Sequence, residues 1–216
     1  MLNEMQQDAL VEIFNINVGH AADILSEMTD RKIELFVPDI DLLLCKNLTT
    51  AYLNSCIGNR SGHIMSSSVN FGDEFNGKAF LLFPSSQAKL LVSLCLREME
   101  EDGIVVLDEK ELLDTEFDVM KEVGNIILNS VVGGLGNILV TKLTYSLPEV
   151  EMLFVSSKNQ LVLLQDNIYV LMLKTSFSIE NTRFHGAILI ILGMDSIKQL
   201  ICKIDDMLEG QNDFAF

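Results

Sequence analysis

The chain has 216 residues, 49% of them hydrophobic and without a long polar tract, which is enough to bury the core of one domain or of two fused half-domains. A formal net charge of -16 excludes a protein that grips phosphate backbones, because neutralising them takes clustered Lys and Arg, so nucleic acid is not an expected partner. Cys45, Cys56, Cys95 and Cys202 contain no C-x-x-C pair, and His20, His63 and His185 no H-x-x-x-H or H-E-x-x-H, so reduced, buried thiols are expected rather than a disulfide framework or a metal centre.

The first ten residues, MLNEMQQDAL, carry neither a basic n-region nor an apolar run, and read as neither a signal nor a transit peptide. From Asn3 to Met28, apolar residues recur at helical spacing: Met5, Ala9, Leu10, Ile13, Phe14, Val18, Ala21, Leu25 and Met28. Asp30 and Arg31 close this helix. The alternating stretch Lys32 to Val37, followed by Pro38, reads as a strand ending in a turn, and residues 39 to 60 stay ambiguous.

Gly62 to Val69 and Gly77 to Phe83 predict a β-hairpin leading into a helix at about 85–99. A second long helix is predicted from about Glu109 to Asn137, weakened by Gly133, Gly134 and Gly136. Lys142 to Ser146, Leu161 to Leu164, Ile168 to Ser178 and Phe184 to Leu192 follow as candidate strands, then a closing helix from about Asp195 to Leu208. The most hydrophobic run, Gly186 to Met194, is far shorter than the roughly 20 residues of a spanning helix, so a soluble, cytoplasmic protein without membrane insertion is expected.

The order helix, strands, helix occurs twice. Laying QDALVEIFNINVGHAADIL (7–25) on FDVMKEVGNIILNSVVGGL (117–135) matches Asp8 with Asp118, Glu12 with Glu122, Asn15 with Asn125 and Ile16 with Ile126. Further on, Phe75, Gly77, Lys89 and Leu91 match Phe184, Gly186, Lys198 and Leu200, with the slip of one residue that a single loop indel would give. Core packing alone does not require Glu, Asn and Asp to recur at matched steps. The reading is a single domain, 1–216, of two internal repeats at about 1–100 and 109–210, packed about a pseudo-two-fold axis.

Positions i and i+3 of a helix share a face, so Glu12 lies beside Asn15, with Asp8 one turn back and Gly19 one turn on. Asp118, Glu122, Asn125 and Asn129 repeat the arrangement. A carboxamide can accept and donate hydrogen bonds at once and so orient a water attacking a phosphoryl group, while a neighbouring carboxylate holds a cationic side chain of a partner. A single E-x-x-N is also common on solvated helix faces. Two other readings stay open at this point: an adaptor that binds without turnover, and a dimerisation domain using the Met-rich apolar faces.

The first copy, DALVEIFNINVGHAADILSEM (8–28), resembles the first signature of the CheC family of chemotaxis phosphatases: an acidic residue, then E-I-x-N-I, a Gly and A-A-x-x-L-S. The second copy, DVMKEVGNIILNSVVGGL (118–135), resembles the family's E-V-G-N-I followed by N-S. The resemblance implies an α+β fold of duplicated half-domains, with two long signature helices packed on a mixed or antiparallel β-sheet. It implies a hydrolase acting on the aspartyl-phosphate of a CheY-type response regulator in two-component signalling. Glu12 and Glu122 would salt-bridge the regulator's lysine, Asn15 and Asn125 would position water, and the Mg2+ would be the regulator's own, leaving this chain with no cofactor. Asn17, Val18, Gly19 and His20 stand where many relatives have Gly-x-Gly-Asn, and His20 is expected to be an ordinary solvated residue. With no flagellar-switch domain and no recruiting N-terminal peptide in the sequence, the free-standing form is expected over a FliY-like one. Free-standing relatives often bind the receptor deamidase CheD, and nothing in the sequence marks a surface for it.

Overall fold

The architecture was obtained as a computed structural model, which describes residues 2–58, 62–96, 114–155, 168–179 and 182–212. Asn3 opens the first helix with a capping box: its side chain accepts from the Gln6 N–H at 2.8 Å while Gln6 Oε1 accepts from the Asn3 N–H at 2.9 Å. This helix, α1 (Glu4–Thr29), stops where Asp30 turns left-handed at φ 55° and returns its N–H to the Ser26 carbonyl. Leu10, Phe14, Val18, Ala21 and Leu25 are fully buried along one stripe. Met5 and Met28, expected on the same stripe, are 57% and 48% exposed. Met5 stands five residues before Leu10, about 140° around the helix, and Met28 flanks the stripe in the last turn.

The strand that follows corrects the sequence reading. β1 (Ile33–Leu44) does not end at Pro38 but runs through it. Its ladder with β5 (Ile168–Ile179) pairs Phe36 with Ser176 and resumes with Asp39 opposite Lys174, so Val37 and Pro38 together face one residue. This is a bulge on an edge strand, where a missing N–H costs no ladder bond. It also resets the alternation: Ile33, Leu35 and Val37 bury toward α1, and Ile40 continues on that side.

A 3-10 turn (Cys45–Asn47) leads to the short helix α2 (Thr50–Ile57), started by the Thr49 side chain and ended by Gly58 at φ 68°. The predicted hairpin is present as β2 (Gly62–Phe71) and β3 (Gly77–Pro84), followed by α3 (Ser85–Leu96). The second long helix, α4 (Asp114–Leu139), runs through Gly133, Gly134 and Gly136; the predicted start at Glu109 lies outside the described residues. Lys142 to Ser146 is not a strand and contributes only the bridge of Tyr145 to Phe71. The strand there is β4 (Glu149–Val155), which begins directly after Pro148. The candidate strand Leu161 to Leu164 lies outside the described residues. β6 (Thr182–Gly193) and α5 (Met194–Asn212) complete the chain.

The six strands form one sheet in the order β1-β5-β6-β3-β2-β4, every pair antiparallel. Exchanging β1, β2 and β3 for β4, β5 and β6 turns this order into its own reverse. The main core lies between the sheet and α1, α3, α4 and α5; α2 covers a smaller cluster on the other face, around Leu53, Ile57, Met172 and Leu189. The fold is α+β. Cys45 is buried and Cys56 and Cys95 half-buried, whereas Cys202, expected to be buried, is exposed on α5; all four are free thiols. Among the described residues, no helix is long and apolar enough to cross a membrane.

Candidate functional site

Both signature helices lie side by side on the sheet, and the sequence explains why they come so close. A side-chain carbon on Gly134 of α4 would stand 2.6 Å from Asn17 Nδ2 of α1, and one on Gly124 would stand 2.0 Å from Ser67 Oγ of β2. Glycine at these two positions lets α4 settle against its neighbours. The turn carrying Glu122 and Asn125 is thereby seated on the sheet by Gly124.

Glu12 and Glu122 are both exposed, and neither makes a hydrogen bond or ion pair with a described residue. Asn15 and Asn125, each three residues further on, are half-buried. Ile16, beside the first pair, is 61% exposed, while Ile126 beside the second is half-buried. His20 is exposed, as expected for a solvated residue. At each step, then, a carboxylate that no described residue pairs with stands next to a carboxamide at the helix surface.

The two carboxamides have different partners. Asn15 Nδ2 donates to the Val37 carbonyl at 2.9 Å, and the Val37 N–H donates to Asn15 Oδ1 at 2.8 Å, so the side chain replaces ladder partners that the β1 bulge lost. Asn125 Oδ1 instead accepts from Asn129 Nδ2 at 2.8 Å, one turn on in its own helix. Asn129 Oδ1 is buried with no hydrogen-bond partner among the described residues. The contact of Asn15 with Val37 is absent from the sequence reading; Pro38 was its one signal, read as a strand end.

Beyond the bulge, a charged network anchors β1. Lys174 of β5 reaches Asp39 at 2.5 Å and Asp41 at 3.0 Å, Gln7 of α1 donates to Asp39 at 2.8 Å, and the Tyr52 hydroxyl donates to Asp41. The Lys174 hydrogen bond holds the Asp39 carboxyl below its ordinary value against opposing burial, and the same bond, with Asp41 adding to it, raises the Lys174 ammonium. Burial, with Asp41 second, pushes the Tyr52 phenol up. Among the described residues, no three His, Cys, Asp or Glu side chains are grouped as a metal site would require.

Two long helices, each presenting a Glu and an Asn, back the six-stranded antiparallel sheet, and the CheC-like family model matches residues 5–41, which span nearly all of α1 and the bulge of β1. Over that span the chain is similar to the CheC-like family. It is 26% identical over 151 residues to the CheY-P phosphatase CheC of Bacillus subtilis, covering 70% of this chain and 68% of that protein. It is 23% identical over 179 residues to the flagellar motor switch phosphatase FliY of the same organism, covering 83% of this chain. The chain spans 43% of FliY's length. Among solved structures, Thermotoga maritima FliY superposes with a TM-score of 0.73 at 22% identity, over 95% of this chain and 98% of that one. The FliM middle domain of H. pylori superposes with a TM-score of 0.62 at 13% identity, over 94% and 99%. The fold is thus shared by a FliY and by a FliM middle domain, and function has to be argued from the site.

Proposed function

We propose that this chain hydrolyses the aspartyl-phosphate of a CheY-type response regulator. The observation that carries the reading is the pairing, on two helices, of an exposed carboxylate that has no partner among the described residues with a carboxamide three residues on: Glu12 with Asn15 and Glu122 with Asn125. The names of the relatives CheC and FliY support it. In this mechanism the receiver brings the phospho-aspartate, its Mg2+ and a lysine. Glu12 or Glu122 takes the lysine in a charge-assisted hydrogen bond, which fixes where the neighbouring amide lies. Asn15 or Asn125 then holds a water in line with the phosphorus, accepting from it through Oδ1 and donating through Nδ2 to a phosphoryl oxygen. The water's oxygen bonds to phosphorus, the bond to the aspartate oxygen breaks, and inorganic phosphate leaves.

The same reading takes 1–216 as one domain of two repeats. Support comes from the reversible strand order and from a proline at the irregular point of both edge strands, Pro38 inside β1 and Pro148 between the Tyr145 bridge and β4.

The test follows loss of phosphate from a Mg2+-loaded, phosphorylated CheY-type receiver, comparing the chain with an Asn15→Ala plus Asn125→Ala double variant. The expected result is faster decay with the chain and decay at the receiver's own rate with the double variant. Binding of the receiver without any change in its decay refutes the reading and leaves an adaptor on this fold.

A further inference from the structure

The two centres share their residues but not their hydrogen bonds. Asn15 has one Nδ2 hydrogen and one Oδ1 lone pair committed to the backbone of another element, at Val37, at 2.9 and 2.8 Å. Turning toward a phosphoryl group breaks both bonds and leaves an edge-strand N–H and C=O without their partner, which lowers the population of a competent Asn15 by roughly tenfold or more. Asn125 meets no such obstacle. Asn129 Nδ2 occupies one lone pair of Asn125 Oδ1 at 2.8 Å, which leaves the other lone pair and both Nδ2 hydrogens for water and phosphoryl oxygen.

Asn129 is itself in an arrangement that packing does not explain. Its own Oδ1 is buried with no described partner, a cost that a structural residue could avoid by being apolar. In α1 the residue one turn beyond Asn15 is Gly19, which has no side chain to offer. We propose that Asn129 is a positioning residue that fixes the amide plane of Asn125, and that the α4 centre therefore carries most of the turnover while Asn15 in the resting fold serves chiefly as a clamp on β1. This rests on the phosphatase reading above.

The experiment measures initial rates of receiver dephosphorylation over a range of phosphorylated receiver concentrations, with a thermal melt of each protein. It uses the full chain and its Asn125→Ala, Asn15→Ala, Asn129→Ala and Asn129→Ser variants. Asn125→Ala should remove most of the acceleration and Asn15→Ala the minor part. Asn129→Ala should lower kcat roughly tenfold at unchanged KM, as expected when an attacking group loses its orientation. Asn129→Ser, which keeps a short donor, should recover part of that loss. Equal losses of kcat for Asn15→Ala and Asn125→Ala overturn the proposal, as does an Asn129→Ala variant whose Tm falls while its kcat stays at the wild-type value. A wild-type chain that fails to accelerate decay removes the phosphatase reading itself, a result distinct from either.

Discussion

Replacing Asn15 by alanine tests the clamp on β1 without reference to any reaction. The substitution removes two hydrogen bonds to Val37, whose side chain is fully buried although its strand lies at the sheet edge. At a net contribution of about 1 kcal/mol for each neutral hydrogen bond, the loss is about 2 kcal/mol. Alanine is the better helix former in the middle of α1 and returns about 0.5 kcal/mol. The net destabilisation of about 1.5 kcal/mol corresponds to about 3–6 °C in Tm for a chain of this size. Asn125→Ala is the internal control. It leaves no backbone group unpaired, and its lost contact with Asn129 is offset by the same gain in propensity, so its shift stays within about 0.5 kcal/mol. Thermal melts followed by far-UV circular dichroism compare the two. Equal Tm shifts would show that the Val37 contacts contribute nothing and that the bulge is held by its ladder alone.

Gly124→Ala places a carbon 2.0 Å from Ser67 Oγ and 2.5 Å from Ser67 Cβ, so overpacking of about 1–3 kcal/mol should outweigh the helix gain, with recovery when Ser67→Gly is added. Gly133→Ala, with nothing within 4 Å, should instead raise stability by up to about 1 kcal/mol; urea denaturation of both checks the contrast. For the charged network, the lowered Asp39 contributes stability that is present above its ordinary value of 3.8 and lost as pH falls through its folded value. The raised Lys174 contributes stability that is present below 10.5 and lost as pH rises beyond it. Lys174→Met should therefore lower stability between these limits, by no more than about 1 kcal/mol because the partners are a third or more exposed, and its gap in Tm to wild type should close toward pH 2. A gap that persists in acid would show that Lys174 acts through its packing.

The elements legible in the sequence are those whose period is set by one buried face. α1, the hairpin of β2 and β3, and β6 fall where the apolar spacing puts them, because each meets the core along its whole length. The errors sit at the two edge strands. Pro38 reads as a terminator only if the strand needs its N–H, and at the sheet edge it does not. β4 is not legible because Lys142 to Ser146 alternates as well as a strand does, while the pairing with β2 that makes a strand of Glu149–Val155 is contributed by Gly62 to Ser68, far away in the chain.

The four candidate site residues were legible by type and spacing, but their inequivalence was not. A sequence places Asn15 and Asn125 at the same step of matched helices and so assigns them one role. What separates them is a distant backbone: β1 bends at Pro38 and turns the N–H and carbonyl of Val37 toward α1, where Asn15 meets both, while the path from α4 into β4 leaves Leu147 81% exposed. Asn125 then finds its partner in Asn129, within its own helix. On the proposed reading, the geometry of the edge strand beside each helix is what sets the two amides apart, binding Asn15 to the sheet and leaving Asn125 to a partner in its own helix.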